Sequence, residues 1–208
     1  KEETSKDAAE RDKMAKELSA YGDIFVNDAF GSAHRDHAST ASVCKFSRDN
    51  VAGFLMEKEL DFLGRLLEKP ERPYVVVLGG AKVQDKVKTI MSLLDRVDVL
   101  LVGGAMAYVF YLSKGIPVGN SKVEKDDVPL ADEILKKAEV RKVKLLLPVD
   151  HVIADKFDAA AKTETVGATG IRDGWMALDI GPKTAELYAA EIAKAKTVFW
   201  NGPMGCFE

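Results

Sequence analysis

The sequence predicts an α/β fold, a parallel sheet whose strands are joined by crossover helices. Three observations carry this. Helix and strand patterns alternate along nearly the whole chain. The strand segments are short, continuous and apolar, as strands buried on both faces are. Three of them run directly into glycine, as "LGGAK", "VGGAM" and "WNGPMG".

Taken in order, the strand candidates are "DIFVND" (23–28), "YVVVL" (74–78), "DVLLVG" (98–103), "KLLLPV" (144–149), "MALDI" (176–180) and "TVFWNG" (197–202). After the second, Val83, Val87, Ile90, Met91 and Leu94 recur at i, i+4, i+7, i+8 and i+11, which places all five on one helix face as core. A longer helix candidate, "AGFLMEKELDFLGRLLEK" (52–69), meets "PERP", where Pro70 and Pro73 stop it. That helix and proline turn predict a domain boundary between about 50 leading residues and a larger α/β block. In open parallel sheets, ligands bind beyond the carboxyl ends of the strands, where glycine lets backbone approach closely. Three glycine-tipped strands therefore predict one lined crevice.

Composition bounds the function. Of 208 residues, 47% are hydrophobic and 30% charged, enough to bury a core. The 30 basic and 33 acidic residues are mixed along the chain and leave a net charge of -3, so nothing in it attracts a polyanion and nucleic acid is not expected as a partner. Cys44 and Cys206 lack CxxC spacing, which suits a reducing cytoplasm. No run approaches the ~18 apolar residues of a membrane span. The chain opens on charged residues without an initiating Met, and a missing upstream piece is expected.

Two readings of "LGGAKVQDK" stand side by side: a strand-to-helix turn with solvated lysines, or a phosphate cradle. The cradle is favoured by Lys82 standing where the helix is predicted to begin, with Lys86 one turn on. A Walker A loop is excluded because Val83 follows Lys82, and no GxGxxG occurs. "NDAFGSAHRDHAST" (27–40) gathers Asp28, His34, Arg35 and His37. Its HRD triplet is not the protein-kinase loop, since Ala41 stands where an Asn is required, and the histidines lack zinc spacing. The histidines read as polar surface or structural residues, and Arg35 as the phosphate-binding candidate. "VFWNGPMGCFE" (198–208) is either a simple turn or a third glycine rim ending in Glu208, a hydroxyl acceptor for a ribose. Trp175 and Trp200 read as packing residues, "SKVEKDD" (121–127) as a solvated loop, and Cys206 as a small buried residue.

Together and in this order, "DIFVNDAFGSAHRDHAST", "GFLMEKEL", "VVVLGGAKVQDK", "LLVGGAMA", "LLLPVDHVIADKF" and "VFWNGPMGCFE" resemble phosphoglycerate kinase of a bacterial type, over nearly the whole chain. The resemblance implies two Rossmann-like domains facing each other across a cleft, one for phosphoglycerate and one for ADP or ATP with Mg2+. On it, residues 1–50 are the tail of the phosphoglycerate domain, 51–69 the interdomain helix, and 70–208 most of the nucleotide domain. It implies reversible phosphoryl transfer between 1,3-bisphosphoglycerate and ADP, giving 3-phosphoglycerate and ATP, by a cytoplasmic monomer.

Carried over by motif position, the resemblance implies that Arg35 binds the phosphate of 3-phosphoglycerate, with His34 beside it. Lys82 contacts the transferring phosphoryl group and Lys86 the nucleotide phosphates. Gly80, Gly103 and Gly104 floor the crevice, Leu178 lies against the adenine, Asn201 and Pro203 line the site, and Glu208 accepts from the ribose. Two departures stand out. Relatives often carry a leucine near the adenine where this chain offers Lys122. The family's upstream substrate motif and its downstream Gly-rich segment, with the Asp that holds magnesium, are both missing, so no metal ligand is expected within these 208 residues. The alternative is a non-catalytic nucleotide-binding module, which a fragment of this enzyme would in effect be.

Overall fold

The computed structural model describes residues 2–81, 84 and 86–206. They form two compact units, Lys1–Lys69 and Pro70–Glu208.

In the first unit, helix α1 (Ala8–Ser19) starts at Asp7, whose carboxylate accepts the Ala9 N–H at 2.8 Å and so satisfies one of the free donors of the first turn. Strand β1 (Ile24–Asn27) pairs in parallel with β2 (Asp49–Ala52), Ile24 opposite Asp49. β2 is not among the expected strands, because "DNVA" is four residues long and begins with two poor strand formers. The core here is small: Ala15, Ala38 and Val43, with Met14, Leu18, Phe25 and Cys44 packed on it. Helix α2 (Phe54–Glu68) runs within the predicted 52–69 stretch. Its N-cap is Gly53, which has no side chain to cap with. The Asp28 carboxylate reaches over instead and accepts the Met56 N–H at 2.9 Å.

The second unit holds two sheets. The larger is parallel, with β3 (Tyr74–Leu78) between β4 (Val99–Val102) and β9 (Thr197–Asn201), and β5 (Lys144–Leu146) outside β4. Val75 stands opposite Val99 on one side and Val198 on the other. β3 and β4 are buried along their whole length, which accounts for their unbroken runs of Val and Leu. Helices α3 (Val87–Leu93), α4 (Ala107–Ser113), α5 (Val128–Val140) and α6 (Pro182–Ile192) belong to this unit. The Tyr188 hydroxyl of α6 reaches the carbonyls of Val102 (2.7 Å) and Leu146 (3.1 Å), joining the helix to the ends of β4 and β5.

The smaller sheet is antiparallel, with β6 (Asp150–Ala154) between β7 (Thr163–Gly167) and β8 (Met176–Ile180). This corrects the placing of "MALDI" in the parallel sheet, since an apolar run states burial but not its partner. β6 and β7 were not among the strand candidates. Pro148, lacking an N–H, separates β6 from β5, and β7 is the polar and mostly exposed segment "TETVG".

Three further expectations are corrected. Helix α3 begins at Val87, so the helix start predicted at position 82 falls later, with Lys86 at the cap position; Lys82 and Val83 lie outside the described residues. Along α3, Ile90 and Leu94 are buried as expected, joined by Leu93, whereas Val87 and Met91, also expected in the core, are only half-buried. Trp200, expected to pack, is 58% exposed, and its indole N–H donates to the Gly202 carbonyl at 2.9 Å. Trp175 does pack, against the cluster of Tyr108, Tyr111, Val118 and Ile153, with the Arg172 guanidinium 3.9 Å from its ring centre.

His151, in the middle of that cluster, is wholly buried, and neither ring nitrogen has a hydrogen-bond partner; the Tyr108 and Tyr111 rings stand 5.6 and 5.2 Å away. Burial pushes its pKa from 6.5 down to about 4, against the opposing pull of the Asp150 carboxylate. The unfolded chain takes up this proton near pH 6.5, whereas the folded chain does so only near 4. Stability is therefore full above the unfolded pKa and falls with pH across that window, by about 3 kcal/mol in all. In chemical denaturation, His151→Phe is expected to remove most of this acid loss; an unchanged pH dependence would contradict it.

Candidate functional site

The parallel sheet changes direction between β3 and β9. Successive strands β3, β4 and β5 step one way, and β9 returns to the other side of β3. The loops leaving two strands that diverge in this way open a crevice at their carboxyl ends. Both loops are glycine-rich here. Gly79 N–H donates to the Asn201 carbonyl at 2.9 Å and Gly80 N–H to the Pro203 carbonyl at 3.0 Å, so the β3 and β9 turns continue their ladder past the sheet. The β4 turn joins them, with Gly104 N–H donating to the Met204 carbonyl at 2.7 Å and Met106 N–H to that of Gly80 at 2.9 Å.

Side chains would not fit. A Cβ on Gly79 would lie 1.9 Å from the Pro203 oxygen, one on Gly104 2.5 Å from the Gly80 nitrogen, and one on Gly202 2.4 Å from the Gly79 oxygen. Gly80, Gly104 and Gly202 also adopt positive φ (108°, 67° and 89°), which L side chains rarely adopt. The Lys86 ammonium donates to the Gly79 carbonyl at 2.5 Å, and so lies against this backbone cluster.

Beside the glycines opens a cavity of about 570 Å³. Gly80, Gly104 and Pro203 form one side, while Phe157, Met176 and Leu178 contribute apolar wall. Of the residues expected at the site, Gly80, Gly104, Leu178 and Pro203 thus come together. Gly103 stands behind, where a Cβ would meet the Met204 sulfur at 2.5 Å, and Asn201 takes part through its carbonyl. Lys82 and Glu208 lie outside the described residues. Cys206, read as buried, is exposed and lines the cavity, because its N–H pairs with the Leu178 carbonyl at 2.8 Å and extends the edge of β8. Burial pushes the Asp179 carboxyl, beside Gly205, above its ordinary value; its own neighbour's Ile180 N–H only partly offsets this.

Sequence reasoning missed Phe157, Asn120 and Met176 as lining residues, since nothing in their local pattern distinguishes them. It also read "SKVEKDD" as a solvated loop, whereas Ser121 and Asp127 are buried. Ser121 Oγ accepts the Ala177 N–H at 2.9 Å, and the Asp127 carboxylate accepts the Gln84 N–H at 3.1 Å. Asp127 thereby anchors Gln84, between β3 and α3.

Arg35 and His34 lie in the first unit, on the loop after a 3-10 turn (Phe30–Ser32), with both side chains exposed. The loop backbone is well anchored. Arg35 N–H donates to Ser32 (2.9 Å), the Thr40 hydroxyl donates to the Arg35 carbonyl (2.7 Å), and Asp36 pairs with Arg11 of α1 (2.9 Å). Ala38 N–H donates to the Glu3 carbonyl at 2.9 Å, and the Ser39 hydroxyl bonds the Glu3 carboxylate. A fixed backbone bearing an exposed guanidinium is suited to binding an anion.

Two outcomes follow from this packing. Gly79→Ala should cost about 2 kcal/mol or more in chemical denaturation, whereas Gly64→Ala, within α2 where nothing lies within 4 Å, should stabilise by about 0.5–1 kcal/mol; equal effects would contradict the close-packing argument. Asp127→Ala should speed hydrogen exchange at the Gln84 amide by about tenfold while Asp127→Asn, which keeps an acceptor, slows it back; unchanged exchange in Asp127→Ala would show that the carboxylate does not hold the loop.

Comparison with known proteins bears on the whole chain. A family model described as phosphoglycerate kinase matches residues 1–208. The phosphoglycerate kinase of Chloroflexus aggregans is 57% identical over 196 residues, covering 94% of this chain and 49% of that protein. That of Clostridium botulinum (strain Langeland) is 51% identical over 208 residues, covering 100% of this chain and 51% of that protein. Among solved structures, phosphoglycerate kinase from Coxiella burnetii superposes with a TM-score of 0.81 at 38% identity, covering 100% of this chain and 52% of that one. The chain spans about half the length of the curated relatives it matches. With glycine-tipped parallel strands around one cavity, and a match that runs along its full length, the chain belongs to the phosphoglycerate kinase family.

Proposed function

We propose that the protein carrying this chain transfers a phosphoryl group reversibly between 1,3-bisphosphoglycerate and ADP, giving 3-phosphoglycerate and ATP. The observation that carries this is the cavity at the switch between β3 and β9, glycine on one side and apolar on the other, in a chain of this family. A nucleotide suits it chemically. Phosphates can approach closely where no Cβ intervenes, and a flat base can be covered by Phe157, Met176 and Leu178.

On this reading residues 1–50 belong to a phosphoglycerate-binding domain, 51–69 to the interdomain helix, and 70–208 to the nucleotide domain. Arg35 forks onto the phosphate of the phosphoglycerate, with His34 beside it. Lys86, whose ammonium already lies at the glycine cluster, neutralises nucleotide phosphates. Gly80, Gly103 and Gly104 form the floor, Leu178 covers the base, Asn201 and Pro203 line the site, and Glu208 accepts from the ribose.

In the ATP-consuming direction the nucleophile is a carboxylate, ionised at pH 7, so no general base is needed. Catalysis then rests on alignment and on neutralising the charge of the group in flight, the role assigned to Lys82. Magnesium enters as the counter-ion of the nucleotide. Among the described residues no three His, Cys, Asp or Glu side chains gather where they could hold a metal ion, so no step is assigned to a resident one. Among the same residues no helix is long and apolar enough to cross a membrane. A cytoplasmic monomer, without nucleic-acid or membrane partners, completes the proposal.

In the full-length protein, Lys82→Ala is expected to cut turnover at least ~100-fold in a coupled assay while nucleotide affinity stays within a few fold, as for the loss of one transition-state contact. Near-normal turnover would remove Lys82 from the chemistry.

A further inference from the structure

We propose that Asp179 is a positioning residue for the nucleotide: its side chain seats Gly205 and so sets the spacing between two walls of the cavity. The inference rests on the nucleotide-site reading above. The two walls converge at this point. Strand β8 supplies Met176, Ala177 and Leu178 to the apolar side, while Pro203, Gly205 and Cys206 line the facing edge. Backbone hydrogen bonds fix that edge on either side of Gly205. The Met204 carbonyl accepts the Gly104 N–H at 2.7 Å, and the Cys206 N–H donates to the Leu178 carbonyl at 2.8 Å. Gly205 itself has no hydrogen bond among the described residues, and what meets it is Asp179. A Cβ built on Gly205 would stand 2.1 Å from Oδ1 of Asp179, 2.2 Å from its Cγ and 2.6 Å from its Cβ, so the aspartate side chain lies against the glycine Cα. Unlike Gly80, Gly104 and Gly202, Gly205 does not adopt positive φ; the aspartate, not the backbone, is what requires glycine there.

The contact is one of packing and not of charge. Among the described residues the Asp179 carboxylate has no ion-pair partner, and its Oδ1 accepts the N–H of the next residue, Ile180, at 2.7 Å. Burial pushes its carboxyl above the ordinary value, the opposite of what a carboxylate held by a cation shows. A side chain packed behind a ligand wall acts through distance. Without it, Gly205 can shift toward β8, and a base would fit less closely between the two walls. The glycine cluster and the Lys86 ammonium, where phosphates would lie, are held by contacts that do not involve Asp179. Loss of Asp179 therefore falls on nucleotide affinity and spares the chemical step.

The test measures turnover at saturating nucleotide, and equilibrium binding of ADP and of 3-phosphoglycerate, in the full-length protein. Asp179→Ala should weaken ADP binding roughly tenfold, the worth of about one good contact, and leave turnover and 3-phosphoglycerate affinity within about twofold. Asp179→Asn, which keeps the shape and an acceptor without the charge, should bind ADP within about twofold of wild type. Gly205→Ala should weaken ADP binding as Asp179→Ala does, and it reports on the same contact even if Asp179→Ala fails to fold. Exchanging the pair, Asp179→Gly with Gly205→Ala, should recover most of that loss, because the added Cβ occupies the vacated space. Unchanged ADP affinity in Asp179→Ala and Gly205→Ala would overturn the proposal and leave the nucleotide site standing. Equal losses for ADP and 3-phosphoglycerate would overturn it as general damage, a loss in Asp179→Asn as large as in Asp179→Ala would assign the role to charge, and additive losses in the exchanged pair would deny the contact. Failure of the wild-type protein to bind ADP would overturn the nucleotide-site reading itself.

Discussion

The second unit depends on backbone meeting backbone where three parallel strands end. The turns after β3, β4 and β9 are hydrogen-bonded to one another through Gly79, Gly80, Gly104, Pro203 and Met204, and they approach so closely that a methyl group at Gly79, Gly104 or Gly202 would overlap a main-chain atom. Such an approach does two things together. It satisfies N–H and C=O groups that would otherwise be stranded at the sheet's end, and it leaves a surface bare of side chains on one side of the cavity. The tip of Lys86 lies on that surface because nothing projects from it.

A second device occurs once in each unit. Helices α2 and α6 both begin at a glycine that has no side chain with which to cap them, and in each case an aspartate distant in sequence supplies the acceptor. Asp28, just after β1, serves Met56; Asp150, opening β6, accepts from the N–H groups of Lys183 (2.9 Å) and Thr184 (2.8 Å) and from the Thr184 hydroxyl (2.5 Å). Glycine is required because a Cβ at Gly53 or Gly181 would stand 2.3 Å from the carboxylate carbon. Burial alone would push the Asp150 carboxyl up, but its hydrogen bonds outweigh this and hold it below the usual range. The result ties a helix start to a strand end by a charge-assisted contact, and so fixes where the helix leaves the sheet.

His151 shows the opposite economy of polar groups. One residue along from the well-partnered Asp150, it points into the cluster of Tyr108 and Tyr111 with both nitrogens unmet, and remains neutral there. The same burial pushes the Tyr111 hydroxyl up to about 12 and that of Tyr108 well above its ordinary value. These three titratable rings between β6 and α4 are therefore uncharged at neutral pH, beside the ionised Asp150.

By itself the sequence determined the α/β class, the strands at 74–78, 98–103 and 197–202, the long helix ending at Pro70, and the glycine tips as the place to look. These are local properties: apolar runs, proline's missing donor and glycine's missing Cβ act through near neighbours. The tertiary structure alone decided that Met176–Ile180 belongs to an antiparallel sheet with β6 and β7, that Cys206 is exposed at the cavity, and that Asp127 is buried beneath Gln84. Each of these depends on which distant segment lies opposite. An apolar strand carries no mark of its partner's direction, and a carboxylate in a charged run reads as solvated until a backbone N–H from 43 residues away arrives to use it.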